Sequence, residues 1–168
     1  MSARRVAKPQ AMDNPRDLVG IDQRHLGVIL VDHGSRRDES NAMLFDVVRN
    51  FAESTGLPIV EPAHMELAEP SISTAFKRCV ELGATIVVVF PYFLLPGRHW
   101  HDDIPSLSAE AARQHPNIRY LVTAPFGLHP LMAEIMRQRI EHCLSHVAGE
   151  ADACELCAGT DRCQLRVT

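Results

Sequence analysis

The sequence predicts a single α/β domain built on a doubly wound, four-stranded parallel sheet with helices on both faces. Continuous apolar runs at residues 26–32 and 84–92 are typical of parallel strands that are covered on both sides. Between such runs, apolar residues recur at spacings of three and four, which indicates amphipathic helices. Four strand–helix units follow one another with short connections, and this alternation favours a parallel sheet.

The first half of the chain predicts two strand–helix units. The first strand covers residues 26–32 and leads into a helix at 38–55, which Gly56 ends. A second, weaker strand at 59–65 precedes a helix that opens at Pro70. The inward faces of these helices are expected to consist of Met43, Leu44, Val47, Val48 and Phe51, and of Ile72, Ala75, Phe76, Cys79 and Leu82.

The second half predicts two more units. A strand at 84–92 is followed by a loop and a helix at 105–114, and a short strand at 118–123 comes next. A last long helix begins at His129 and Pro130. Its apolar side is expected to consist of Met132, Met136, Ile140, Cys143 and Val147.

The chain is expected to comprise a leader at residues 1–25, a folded domain at 26–148 and a cysteine-containing tail at 149–168. The leader has two prolines and no sustained apolar period, as is typical of a flexible segment. It lacks the apolar core of a secretory signal. It fits either a trimmed organelle transit peptide or simply the boundary of the expressed segment.

Composition and charge argue against several classes of function. With 21 acidic against 17 basic residues, the formal charge of −4 disfavours nucleic acid or an anionic membrane as the main partner. Aromatic residues make up 5% of the chain, which also disfavours binding by stacked nucleobases. No apolar run approaches the ~20 residues of a membrane-spanning helix. We therefore expect neither a nucleic acid nor a membrane as partner.

Two histidines follow predicted strands, and an acidic residue lies midway between them. His33 comes directly after the first strand, Glu66 follows the second, and His99 lies in the loop after the third. Because parallel sheets bind ligands at the carboxyl ends of their strands, we expect these three side chains at one edge. Two neutral imidazoles suit a divalent transition metal, and a carboxylate can orient the metal or accept protons. The alternative is two unrelated loop histidines.

Polar and basic neighbours of the two histidines extend the predicted site. Ser35 belongs to the tight turn after the first histidine, while Arg36 and Arg98 add cations suited to an anionic group. Solvated loop charges are the alternative for these arginines. Two further candidates are assigned differently, since we expect His64 to be an ordinary packed histidine and Glu69 to cap or charge the next helix.

These residues lie in motifs that resemble those of the class II chelatases, specifically the small sirohydrochlorin chelatases related to the anaerobic cobalt chelatases. The third matching segment is long and carries a specific Gly-x-His-x-x-x-Asp-Ile-Pro frame. The four matching segments are residues 33–36, 65–72, 91–105 and 126–131. Together they span nearly all of the predicted folded domain.

The resemblance implies a flavodoxin-like, chelatase-like fold and an enzyme of the lyase class. Its reaction would be the insertion of Fe²⁺ into sirohydrochlorin, a tetrapyrrole with eight carboxylate side chains, to make sirohaem. By position, His33 and His99 would be catalytic and handle the substrate metal, and Glu66 would be their acidic partner. The carboxylates of the substrate would be bound by Ser35, Arg36 and Arg98.

The resemblance also bears on assembly and metal choice. Two-lobed members of the class place their cleft between two similar halves, and this chain supplies one such half. A homodimer enclosing the macrocycle is therefore implied. A cobaltochelatase of the same architecture is the nearest alternative enzyme, because the Irving–Williams order by itself favours Co²⁺ over Fe²⁺.

Three cysteines near the end of the chain form a C-x2-C-x5-C pattern, and a fourth lies on the last predicted helix. Thiolates at this spacing can share a metal site, but the second half of a usual zinc motif is missing. An iron–sulfur cluster needs four ligands, which the fourth cysteine could complete within one chain or which both subunits of a dimer could supply. Redox-active thiols or no specific role are the alternatives to a cluster. The four candidates are Cys143, Cys154, Cys157 and Cys163.

The tail resembles that of the plastid sirohydrochlorin chelatases of plants, which carry an iron–sulfur cluster after the common core. This resemblance implies a 2Fe–2S cluster on the four cysteines and a location in the chloroplast stroma. It also leaves a different class of function open. On that alternative the chain would be a non-catalytic protein that binds or senses iron–sulfur clusters and keeps the chelatase fold as a scaffold.

Overall fold

The computed structural model describes residues 21–160 and 162–166. Most of the expected leader therefore lies outside the described residues, and its separation from the folded domain remains a prediction. A short 3-10 turn at Gln23–His25 immediately precedes the first strand. The chain forms two compact units, one ending at Pro125 and one beginning at Phe126.

The first unit contains a parallel sheet of four strands in the order β2-β1-β3-β4. Because β2 and β3 lie on opposite sides of β1, the direction of winding reverses between β1 and β3. The carboxyl ends at such a switch point form the crevice in which open α/β sheets bind ligands. The predicted α/β fold is thus confirmed. The strands are β1 (Leu26–Asp32), β2 (Ile59–His64), β3 (Ile86–Pro91) and β4 (Arg119–Val122).

Three helices of this unit connect the strands, and their ends follow local sequence signals. Gly56 ends α1 with a φ of 70°, a left-handed conformation that glycine adopts without strain. Ser71 caps α2 by accepting a hydrogen bond from the amide of Thr74. The helices are α1 (Asp38–Thr55), α2 (Ile72–Glu81) and α3 (Ile104–Arg113).

The segment before α3 differs from the sequence expectation. We expected a loop up to Pro105, but His99–Asp103 form a π-helical turn that runs directly into α3. The amide of Ile104 donates to the carbonyl of His99, which is the wide hydrogen bond of a π-helix. Proline was interpreted as the start of the helix, but the structure places Pro105 second in α3, after Ile104.

The core lies on both faces of the sheet, because successive strand residues point to opposite sides. On one face, Ile29 and Val31 belong to a buried cluster with residues of α2 and α3. On the other, Val28 and Leu30 pack with Leu44 of α1 and its neighbours. The prediction of helices on both faces is confirmed by these two clusters.

The second unit contains α4 (Pro130–Val147) and the tail that follows it. The expected apolar side of α4 is partly exposed, since Met136 is 57% and Ile140 60% exposed, while Met132, Cys143 and Val147 are half-buried. Among the described residues of this unit, α4 is the one helix, and the tail after it is irregular. Among the described helices, none is both long and apolar enough to span a membrane.

Candidate active site

The structure brings the two predicted histidines into contact. The ring centroids of His33 and His99 are 5.3 Å apart, with the rings inclined at 64°. Their strands, β1 and β3, are hydrogen-bonded neighbours whose carboxyl ends form the switch point of the sheet. Both side chains are half-buried, so their nitrogens remain accessible to a small ligand. The pair is therefore placed where this fold binds ligands.

A tight turn brings Glu66 beside His33. Gly34 has a φ of 79°, and a Cβ there would lie 2.1 Å from the carbonyl oxygen of Glu66, so only glycine fits. The amide of Glu66 donates to the carbonyl of His33 at 3.1 Å. The first two strand–helix loops are thus joined backbone to backbone. The carboxylate of Glu66 is exposed at the same edge as the imidazole pair.

His99 is hydrogen-bonded to a carboxylate that the sequence analysis did not single out. Its Nδ1 lies 2.7 Å from Oδ2 of Asp103, one helical turn further on. The π-helical turn that carries both residues is anchored to the end of β4, where the indole of Trp100 donates to the carbonyl of Thr123. Phe93 packs against the ring of His99 with a centroid distance of 6.1 Å. The i, i+4 spacing of histidine and aspartate is the signal that was available in the sequence.

A second histidine–carboxylate pair lies under the turn after β1. His64 is fully buried, as expected of a packed histidine, and its Nδ1 lies 2.6 Å from Oδ1 of Asp32. The same oxygen accepts the amide of Gly34 at 2.9 Å. Asp32, also not singled out from the sequence, therefore ties the end of β2 to the turn that carries His33.

Two of the three predicted substrate-binding residues line a common cavity, and the third does not. Ser35 and Arg36 line a cavity of about 670 Å³ at the start of α1, and the loop between β2 and α2 forms its other wall. The backbone of Ser35 is bonded twice to the side chain of Asn41, each at 2.9 Å, which holds this rim. Arg98 is exposed next to His99 and does not line that cavity.

Glu69 serves the start of α2, as the sequence suggested. Its Oε2 accepts the amide of Ser71 at 2.7 Å and the hydroxyl of Thr74 at 2.9 Å. The first of these bonds, helped by the second, lowers the pKa of Glu69 below its usual value. This carboxylate is thus committed to the end of a helix, whereas Glu66 is not.

The cysteines of the second unit form a group apart. The sulfur atoms of Cys143, Cys157 and Cys163 all lie within 4.8 Å of one another, while Cys154 lies outside this trio. Cys79, by contrast, is buried in the core of the first unit, as predicted. The structure therefore brings together three of the four cysteines expected to hold a cluster.

The cysteines of this group shift one another's pKa values. The amide of Leu156 donates to Cys154 and lowers its pKa below the usual value. Cys157 in turn donates to Cys154, which raises the pKa of Cys157 to about 11. A bond with Cys163 likewise raises the pKa of Cys143. A cation bound to these sulfurs would displace the protons that they now share.

Comparison with known proteins relates the whole core to one family. The family model CbiX matches residues 27–143. The chain is 63% identical over 139 residues to the chloroplastic sirohydrochlorin ferrochelatase of Arabidopsis thaliana, an alignment that covers 83% of this chain and 62% of that protein. The chain thus spans less than two thirds of that relative's length.

Two solved structures share the fold. The sirohydrochlorin chelatase SirB from Bacillus subtilis subspecies spizizenii in complex with cobalt is 31% identical with a TM-score of 0.62, over 69% of this chain and 50% of that one. SirB from Bacillus subtilis with Fe³⁺ is 28% identical with a TM-score of 0.63, over 73% and 47% of the two chains. These matches agree with the resemblance recognised in the sequence motifs, and the chain belongs to the CbiX family of class II chelatases.

Proposed function

We propose that this protein is a sirohydrochlorin ferrochelatase, a lyase that inserts Fe²⁺ into sirohydrochlorin to make sirohaem. The observation that carries the proposal is the contact between His33 and His99 at the switch point of the sheet. The similarity to the Arabidopsis enzyme supports the choice of substrate and metal. The family membership supports the reaction class.

The imidazole pair can deliver the substrate metal. Hydrated Fe²⁺ must lose water before it enters a macrocycle, and two histidine nitrogens can replace some of that water. Because both side chains are only half-buried, the ion would remain exposed on the side that faces the macrocycle. His33 and His99 would thus bind the ion loosely enough to release it.

Two pyrrole N–H protons must leave as the metal enters. Glu66 is an exposed carboxylate on the loop bonded to His33, so it is well placed to accept a proton. At the rim, Arg36 in its cavity and Arg98 beside His99 would pair with the peripheral carboxylates of the substrate, with Ser35 holding the turn.

A homodimer in the chloroplast is part of the proposal. The match covers 50% of the Bacillus chain with cobalt, and we propose that a second copy of this chain takes the place of the other half. Two copies would then enclose a macrocycle that one copy can cover on one side only. The location follows the Arabidopsis relative, which is named as chloroplastic.

The tail fits a thiolate-bound group. Three sulfurs lie within 4.8 Å of one another. Hydrogen bonding to neighbouring thiols raises the pKa values of Cys143 and Cys157, and a bound cation would replace the protons that these two thiols hold. Cys154 is hydrogen-bonded to Cys157 and would be the fourth ligand. A 2Fe–2S cluster held by Cys143, Cys154, Cys157 and Cys163 would supply one-electron redox chemistry and a means of sensing iron.

The first test is an anaerobic absorbance time course with sirohydrochlorin and either Fe²⁺ or Co²⁺ against a blank without enzyme. We expect His33→Ala and His99→Ala each to slow insertion more than 100-fold, beyond the 10- to 100-fold typical of residues that only orient ligands. His25→Ala, an exposed histidine at the opposite end of β1, is the matched control.

The same experiment separates the alternatives. Faster insertion of Co²⁺ than of Fe²⁺ would favour a cobaltochelatase, an alternative supported by the Bacillus structure with cobalt. No acceleration with either metal would leave the chelatase fold as a scaffold for the iron–sulfur tail. Unchanged turnover in both histidine variants would refute the assignment of the site.

A further inference from the structure

We propose that Asp103 is a positioning residue that fixes the tautomer of His99, so that Nε2 is the nitrogen offered to the incoming metal. The inference rests on the proposed function, since it concerns how one of the metal-handling histidines is held. It goes beyond that function because Asp103 contacts neither substrate nor metal in this role. It acts through a single side-chain hydrogen bond.

The hydrogen bond determines which nitrogen carries the proton. Oδ2 of Asp103 lies 2.7 Å from Nδ1 of His99, and an ionised carboxylate can only accept. Nδ1 must therefore carry a hydrogen, which leaves the lone pair of the neutral ring on Nε2. A carboxylate behind a ligating histidine fixes both its tautomer and its ring orientation in this way.

His33 is held in the same tautomer by a different group. Its Nδ1 lies 3.2 Å from the carbonyl of Gly34, which is also an obligatory acceptor. Both rings of the pair thus direct Nδ1 to an acceptor and keep Nε2 for a ligand. The bond of His99 is shorter and charge-assisted, so its ring is the more firmly held of the two.

The surrounding helix explains why Asp103 can reach the ring. The turn His99–Asp103 is π-helical, and π-turns within helices often occur at functional sites. Asp103 is the residue before α3, yet its side chain makes no capping hydrogen bond to that helix. Its 28% exposed side chain is instead paired with His99. Within the described residues, helix capping therefore does not account for an aspartate here.

The test compares Asp103→Ala and Asp103→Asn with the unaltered protein by anaerobic titration with Co²⁺ alone, followed through the ¹⁵N-imidazole NMR signals of His33 and His99, so that Co²⁺ bound by the cysteines of the second unit is not counted. Loss of an outer-shell carboxylate typically weakens metal affinity about 10- to 100-fold, and we expect that loss for alanine. Asparagine retains a neutral acceptor of the same shape, so its loss should be smaller. Asp102→Asn, an exposed neighbour on the same turn, should bind Co²⁺ as the unaltered protein does.

Two further readouts distinguish positioning from a general structural effect. In ¹⁵N-imidazole NMR spectra, the His99 signals should report a protonated Nδ1 in the unaltered protein and a mixture of tautomers in Asp103→Ala. In the insertion assay, kcat should fall while the KM for sirohydrochlorin stays constant. If alanine prevents folding, the asparagine variant still gives the comparison, because it preserves the volume of the side chain.

His99→Ala separates failure of this inference from failure of the proposed function. In the His99→Ala background, adding Asp103→Ala should cause no further loss of Co²⁺ affinity, since the two residues act as one unit. A folded Asp103→Ala protein with unchanged Co²⁺ affinity would overturn the positioning role alone. Normal Co²⁺ binding by His99→Ala itself would overturn the proposed site and this inference together.

Discussion

A few backbone and side-chain contacts determine how the imidazole pair is presented. Asp103 is hydrogen-bonded to His99, and the turn that carries His33 is held by the hydrogen bond that the amide of Gly34 donates to the carboxylate of Asp32. Asp32 is itself paired with the buried His64 at 2.6 Å. Each of the two histidines proposed to handle the metal is therefore held, directly or through its turn, by a carboxylate close to it in the sequence.

Gly34→Ala tests this dependence at a single residue. A left-handed conformation costs a non-glycine residue about 1–3 kcal/mol. The added Cβ would also lie 2.1 Å from the carbonyl oxygen of Glu66, so the two loops must separate. We expect a large fall in the free energy of unfolding and loss of metal insertion.

Gly56→Ala is the matched control for that change. Its φ of 70° is equally left-handed, but a Cβ there would meet nothing within 4 Å. Gly56→Ala should lower the free energy of unfolding by about 1 kcal/mol and leave the rate of metal insertion unchanged. Chemical denaturation and the insertion assay on both variants make the comparison, and equal losses would show that the approach of Gly34 to Glu66 is unimportant.

At the scale of elements, α2 begins at a site that the sequence marks with a capping residue. Ser71 and Glu69 together satisfy the first turn of α2, whose inward face includes the fully buried Phe76. This helix covers one face of the sheet directly behind β1 and β2. Its first turn follows the loop that carries Glu66, so fraying there would disturb the site.

The lowered pKa of Glu69 predicts a dependence of stability on pH. The carboxylate accepts bonds only in the folded chain, so its folded pKa lies below the usual 4.5. The contribution of Glu69 to the free energy of unfolding is complete above pH 4.5, and it is lost as the pH falls through the lowered folded pKa. We expect Glu69→Gln to be less stable than the unaltered protein at pH 7. Between pH 4.5 and the lowered folded pKa, its stability should also change less with pH.

Thermal unfolding of Glu69→Gln from pH 7 down to pH 3 would measure this effect. Glu53→Gln, an exposed position on α1, is the control and should follow the unaltered protein. The size of the change should be modest because Glu69 is exposed to solvent. If the Tm of Glu69→Gln and that of the unaltered protein fell by the same amount on acidification, the prediction would be contradicted.

At the scale of the whole molecule, the imidazole pair and the cysteine group belong to different compact units. Metal insertion is proposed for the first and cluster binding for the second. The match to the CbiX family model ends at residue 143, before the C-x2-C-x5-C segment. The two activities should therefore be separable.

Deleting residues 150–168 tests this separation. The deletion removes three of the four cysteines, so any visible absorbance of an iron–sulfur cluster should disappear. Insertion of Fe²⁺ should continue at a substantial rate, because His33, Glu66 and His99 remain. A truncated protein that stays folded in the oligomeric state of the unaltered protein but loses insertion would show that the tail takes part in catalysis.

The order of strands and helices and the residues at the strand ends were predictable from the sequence. Hydrophobic periodicity identified the four strand–helix units, and the rule that parallel strands end at one edge brought together His33 and His99. Both inferences are possible because they depend on local pattern and on topology, which a linear sequence expresses directly.

The tertiary structure decided what surrounds those residues. The pairing of His64 with Asp32, the π-helical turn that brings Asp103 to His99, and the exposed side of α4 all depend on distances between backbone segments. Sequence spacing does not specify such distances, because a shift of an ångström makes or breaks a hydrogen bond without changing the hydrophobic pattern. The sequence by itself thus determined which residues meet at the site, and only the folded chain decided how each of them is held.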